Sequence, residues 1–226
     1  LKMKSGTNTT DLNDEELKIH GEFNQEKIKE QYDHLSSNYE DVYLQVGYPD
    51  PDKCAEIVEF LEVAKDAEIF DMGCGTGLVG LRLKEKEYTT VIGVDASAKM
   101  LDQAREKDSY SELKELFLGA PETFPEEFHG RFEALTAAGI LAEGHLGNEV
   151  FDEMILALKQ GGYAIFTTRE EYLTKYKYQE KIDALVEEGK WEFVKQEDFL
   201  RYNNMKGDGV GRFKPTKVMV FCYKKL

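Results

Sequence analysis

Ile69-Phe70-Asp71-Met72-Gly73-Cys74-Gly75-Thr76-Gly77-Leu78-Val79-Gly80 is the stretch that decides the fold. An apolar run ends at Met72 and opens at once into a glycine-rich turn. Leu78, Val79, Leu81 and Leu83 then continue as a helix. Glycines let the backbone turn tightly and let a ligand come close to the helix N-terminus. Gly75-x-Gly77-x-x-Gly80 is a literal GxGxxG between strand and helix. More than one class of nucleotide-binding site uses that spacing, so it points to a nucleotide-like ligand without choosing it.

Outward from this turn, apolar runs alternate with helical stretches. Strands are expected over 67–72, 89–95, 115–119, 132–138 and 163–168, and helices over 77–86, 98–107 and 149–159. Gly161-Gly162 reads as the stop of that last helix. Upstream, Asp50 reads as the N-cap of a helix that begins at Pro51 and buries Cys54, Ile57, Val58 and Leu61. Near-continuous apolar strands separated by helices predict a parallel sheet covered on both faces. After the fifth strand the rhythm changes to a tyrosine-rich helical stretch over 172–188. Strands over 191–194 and 217–223 follow, joined across the Gly-rich loop 207–211, which suits an antiparallel hairpin at the sheet edge. Residues 1–24 read as a mobile polar tail, and 25–226 as one domain whose first segment, 25–48, is a lid helix. Ile28, Tyr32, Leu35, Tyr39 and Val42 share one face of that helix.

With 226 residues, 41% of them hydrophobic, the chain buries a full core without disulfides or a structural metal. Its net charge is −15, and no basic run is present to bind nucleic-acid phosphates or an anionic membrane. A small molecule is the expected substrate, and a basic protein stays open. Cys54, Cys74 and Cys222 are widely spaced with no CxxC, which argues against a disulfide framework or a zinc site and points to a reducing, cytoplasmic compartment. No metal is expected, and no transmembrane segment. The oligomeric state is left open.

Two carboxylates narrow the ligand. Asp71 precedes the turn, where it would repel a dinucleotide's diphosphate but suits a ligand carrying an ammonium and a sulfonium. Asp95 closes the second strand, 22 residues after Gly73, where an acid accepts hydrogen bonds from ribose hydroxyls. Asp71 favours S-adenosylmethionine over NAD, and Asp95 supports a ribose-bearing ligand without choosing between the two. A plain turn for the glycines, a helix N-cap for Asp95 and a loop-organising role for Asp71 are the structural alternatives.

These residues resemble the class I S-adenosylmethionine-dependent methyltransferases. Asp71-Met72-Gly73-Cys74-Gly75-Thr76-Gly77 is similar to their first motif, and Gly93-Val94-Asp95-Ala96-Ser97 with Met100-Leu101 to their second. Leu158-Lys159-Gln160-Gly161-Gly162 resembles the turn before their fifth strand. Tyr32-Asp33, Tyr39, 138–145 (Ala-Gly-Ile-Leu-Ala-Glu-Gly-His) and Thr167-Thr168-Arg169 bring the chain nearest to methyltransferase-like proteins of the Williams–Beuren chromosomal-region type. The resemblance implies a Rossmann-like α/β fold with seven strands, the last inserted antiparallel, and S-adenosylhomocysteine as product. It implies that Gly73, Cys74, Gly75 and Gly77 meet the methionine part and Asp95 the ribose. Ala96, Met100, Gly119 and Ala120 would line the adenine, and Ala138 would complete the cofactor site. Where many relatives carry Asp-Ala after the third strand, this chain has Gly119-Ala120, so backbone groups are left to read the adenine amino group.

The implied chemistry is in-line displacement at a methyl carbon, in which the protein supplies proximity and orientation. His145 and Glu143, after the fourth strand, are candidates for a base should the acceptor arrive protonated. Tyr32 and Tyr39 are candidates to close over the sulfonium by cation–π attraction, or simply to pack their helix. Tyr172, Tyr176 and Tyr178 either line an acceptor pocket or form an amphipathic helix face. A cofactor-binding scaffold without turnover and, more distantly, a nicotinamide-dependent oxidoreductase are the rival functions.

Overall fold

The computed structural model describes Tyr43, residues 45–205 and residues 213–226. The expected tail, nearly all of the lid helix with Tyr32 and Tyr39, and the loop 207–211 lie outside the described residues. Seven strands form one sheet: β1 Glu68–Met72, β2 Thr90–Asp95, β3 Glu112–Glu115, β4 Phe132–Leu141, β5 Leu158–Thr168, β6 Trp191–Arg201 and β7 Thr216–Lys225. Their order is β3-β2-β1-β4-β5-β7-β6. The first five pair in parallel, and β7 runs antiparallel between β5 and β6. The expected fold class therefore holds, with the hairpin's second strand inside the sheet and β6 at its edge.

The strands alternate their cargo. Phe70 and Met72 of β1 enter a core with Ile92, Val94, Phe132, Leu135 and Phe166 on one face. Helices α4 (Val150–Ala157), α5 (Glu170–Lys175) and α6 (Tyr178–Glu187) cover that face. Ile69 points the other way, to a core with Cys54, Val58, Val79, Leu83 and Ile165 under α1 (Asp50–Phe60) and α2 (Leu78–Glu85). Helix α3 (Ala98–Glu106) follows β2. A period-two alternation with both faces apolar is what a doubly covered sheet demands.

Four expectations move. The third strand lies at Glu112–Glu115, ahead of the expected 115–119, because its partner β2 ends at Asp95 opposite Glu115. Beyond the last bond, Leu116 N–H to the Asp95 carbonyl at 3.0 Å, no strand remains to pair with, and Leu118 turns into the core. Helix α4 stops at Ala157, and Leu158 already pairs with Phe132 in β5. Gly161 and Gly162 therefore serve a strand irregularity: Gly161 has φ +82°, and a Cβ on Gly162 would lie 3.0 Å from the Lys159 and Phe132 carbonyl oxygens. The tyrosine-rich stretch is two helices, broken where Lys177 adopts φ 55°. Finally, Asp50 caps nothing. It is buried inside the first turn of α1, paired with Arg201.

Candidate active site

The loops after β1, β2, β3 and β4 leave the sheet at one edge, the carboxyl end of its parallel strands. Ligands bind there in open α/β sheets. After β1 the chain takes φ +69°, +53° and +89° at Gly73, Gly75 and Gly77. Side chains at two of these positions would meet different surroundings. A Cβ on Gly73 would strike Ile140 at 2.4 Å, whereas one on Gly75 would meet no heavy atom within 4 Å. The turn thus leaves open space beside Gly75, a cradle at this edge of the sheet that a side chain would enter.

Asp95 braces that cradle. Its Oδ2 accepts from the Gly75 N–H and its Oδ1 from the Ser97 N–H, both at 2.9 Å. The turn is also pinned by Cys74 N–H to the Val94 carbonyl at 2.9 Å. Asp95 is not a helix cap; Ser97 fills that place, its hydroxyl accepting from the Met100 N–H at 3.2 Å. A carboxylate has about four acceptor positions, so the half-buried Asp95 can hold both amides and still receive hydroxyl donors.

Asp71 sits deeper. It is 1% exposed, and its Oδ2 and Oδ1 accept from the Tyr110 hydroxyl at 2.7 Å and the Thr136 hydroxyl at 2.8 Å. Burial pushes its carboxyl up to about 6, against the pull of these two hydrogen bonds, and nearby Asp95 adds to the rise. Tyr110 itself accepts from the Gly80 N–H at 3.0 Å, and a Cβ on Gly80 would lie 2.3 Å from its ring. The third glycine of the GxGxxG therefore admits Tyr110, not a ligand. Tyr110 was missed from the sequence because it belongs to no motif.

The residues expected around a cofactor divide by exposure. Gly73, Gly75, Asp95, Ala96, Gly119, Ala120 and Ala138 are half-exposed, whereas Asp71, Cys74, Gly77 and Met100 are buried. Burial pushes the Cys74 thiol up, which keeps it protonated. The Gly119 and Ala120 amides are already engaged. Gly119 N–H donates to both carboxylate oxygens of Glu153, and Ala120 N–H to one of them, each at 2.9 Å. Glu153 is a second residue that no sequence motif flagged.

Beyond Gly119 opens a cavity of about 560 Å³, walled by residues 145–149 after β4 and by 175–177 at the junction of α5 and α6. His145 lines it; its Nδ1 lies 2.9 Å from the Glu143 carbonyl. A carbonyl only accepts, so Nδ1 carries the proton and Nε2 is the basic nitrogen of the neutral ring. The Glu143 carboxylate is held by Lys175 at 2.7 Å. Tyr176 lines the cavity, whereas Tyr172 and Tyr178 are buried.

A polar chain ties the last residues of β4 to the first helix. Gly139 N–H donates to Thr167 Oγ1 at 2.9 Å, and the Thr167 hydroxyl donates to Asp50 at 2.7 Å. Gly139, at φ +76°, also makes room for the Tyr48 hydroxyl.

Residues 69–162 match the model of the methyltransferase domain family. Human methyltransferase-like protein 27 is 34% identical over 131 residues, which are 56% of this chain and 51% of that protein. The chain spans about half the length of the curated relatives it matches. A TehB-like SAM-dependent methyltransferase from Corynebacterium glutamicum superposes with TM-score 0.57 at 17% identity, over 84% of this chain and 98% of that one. The [4+2]-cyclase SpnF superposes with TM-score 0.65 at 16% identity, over 89% and 96%. The two structures share the fold. The sequence matches bear out the motif resemblance to class I methyltransferases, including the Williams–Beuren type. Among the described residues, no helix is long and apolar enough to cross a membrane.

Proposed function

We propose that this chain, with its methyltransferase domain, binds S-adenosylmethionine at the carboxyl edge of the sheet and methylates a small-molecule acceptor. The observation that carries the reading is the open Gly75 cradle braced by Asp95. It supports a ligand whose backbone-hugging part lies on the turn and whose ribose hydroxyls reach Asp95. When bound, the cofactor supplies a methyl carbon already activated by its sulfonium. Gly73 and Gly75 would hold the methionine end, Asp95 would fix the ribose, and the loop at Gly119 and Ala120 would face the base. The cavity beside His145 is of small-molecule size and stands for the acceptor side. There, His145 Nε2 would take the proton of an acceptor that arrives protonated. His145 lines this cavity and Glu143 does not, so of these two residues His145 is the better placed to act as base.

The fold alone does not decide the reaction, since a cyclase shares it. Calorimetry with S-adenosylmethionine, S-adenosylhomocysteine and NAD tests the binding half. A ligand at 100 times its Kd raises stability by about 2.7 kcal/mol. Stabilisation by NAD alone would refute the reading. Release of S-adenosylhomocysteine across a metabolite and protein panel tests turnover; a cofactor-binding protein silent on the whole panel would be a scaffold instead.

A further inference from the structure

Glu153 is fully buried on α4 and, among the described residues, has no Lys, Arg or His as partner. A buried carboxylate without a cation is costly unless hydrogen bonds repay it. The Gly119 and Ala120 amides do so, and they belong to a loop shaped to deliver them. Gly119 takes φ +95°, which only glycine adopts freely, and the Ala120 carbonyl closes the following turn by accepting from the Thr123 N–H at 3.0 Å. This loop leaves β3, the strand beside β2, directly after Leu116 bonds to the Asp95 carbonyl. A nucleoside whose ribose hydroxyls rested on Asp95 would bring its base towards residues 116–120.

We propose that Glu153 is a positioning residue for the nucleobase: its carboxylate holds Gly119 and Ala120 in the backbone conformation that receives the adenine. The proposal rests on the S-adenosylmethionine reading above. The ionised carboxylate accepts all three bonds. Once protonated, it turns one oxygen into a donor and grips the loop less well. The charges that face it are acidic: Glu122 from the 3₁₀ turn Pro121–Thr123 and Asp152 from α4, the latter held by Lys181 of α6 at 2.7 Å. Burial first, and these two carboxylates after it, push Glu153 up to about 7 against the pull of the two amides. The order of the base pocket is thereby tied to its charge.

The test compares the Kd of S-adenosylhomocysteine with that of S-inosylhomocysteine, in which an oxo group replaces the adenine amino group. Wild type, Glu153→Gln and Glu153→Ala are titrated by calorimetry from about pH 6 to about pH 8.5. In wild type, affinity for the adenine compound should fall roughly fivefold towards the acid end, about the worth of one net hydrogen bond. Both variants should lose that slope and about as much of the preference for adenine. Variants that keep the wild-type slope and preference overturn the proposal and leave cofactor binding standing. Wild type that binds neither compound at any pH overturns both. Should the variants not fold, the amide resonances of Gly119 and Ala120 in the wild-type complex report instead. A shared titration near 7 supports the proposal, and amides that do not titrate overturn it.

Discussion

Arg201, at the end of β6, grips both carboxylate oxygens of Asp50, at the start of α1, across 151 residues of chain. The pair is almost fully buried, and Arg201 also lies over the Tyr48 ring, 5.2 Å from its centroid. Through Thr167 it reaches Gly139, so one ion pair joins the first helix to three strands, β4, β5 and β6. Removing one partner of a buried pair strands the other charge, at about 3–5 kcal/mol. Arg201→Met should therefore lower the unfolding free energy by that order. Asp50→Leu together with Arg201→Met should lower it less than the two single changes summed. Chemical denaturation of all four proteins checks this, and strict additivity would show that the two charges act independently.

Two glycines of one turn should respond oppositely to alanine. Gly73→Ala meets Ile140 and should destabilise the fold by more than about 2 kcal/mol. Gly75→Ala meets open space and bears only left-handed strain, about 1–2 kcal/mol. It should fold, yet bind S-adenosylhomocysteine at least tenfold more weakly because the methyl group occupies the cradle. Melting curves and calorimetry separate the two effects; wild-type affinity in Gly75→Ala would move the ligand away from this turn.

Asp95 and Ser97 are neighbours with separable roles. Asp95→Ala removes the acceptor of two amides and of the expected ribose hydroxyls, so affinity for S-adenosylhomocysteine should fall about tenfold or more. Ser97→Ala removes the cap of α3 and should cost about 1 kcal/mol of stability while leaving affinity within roughly twofold. Equal losses of affinity in both would mean that helix order, and not ribose contact, limits binding.

Asp71 makes stability depend on acidity in an unusual direction. Its folded-state carboxyl titrates at about 6, above its ordinary 3.8. Between those values the folded protein keeps a proton that the unfolded chain has released. The contribution is complete below about pH 4 and is lost as pH rises through 6, on the order of 3 kcal/mol in all. Wild type should therefore gain on Asp71→Asn as pH falls from about 7 to about 4.5 in thermal melts. A constant gap would show that the carboxyl is charged throughout.

The sheet and its glycine turn were legible because they are local: alternation within strands, glycines between them, Asp95 at a strand end. The misplaced third strand shows the limit. The sequence displays the apolar run 116–118, but only the end of β2 at Asp95 stops the pairing at Glu115. Tyr110, Glu153 and the Asp50–Arg201 pair were invisible for a related reason. Each acts across 30 or more residues through burial, which no spacing along the chain records. Asp50 before Pro51 even offered a sound local reading as a cap, and a distant arginine overrode it.

The place of β7 bears on how the protein is made. Thr216–Lys225 fills the gap between β5 and β6, so synthesis in chain order leaves those two strands without their shared neighbour until residue 225 has emerged from the ribosome. Until then the nascent chain exposes the β5 edge and keeps Trp191 and Phe166 without the Phe221 and Tyr223 rings that cover them. An open edge beside uncovered aromatic surface is a template for pairing with other chains. A ribosome stalled before this strand would hold the protein with that edge and those rings uncovered, a form open to aggregation.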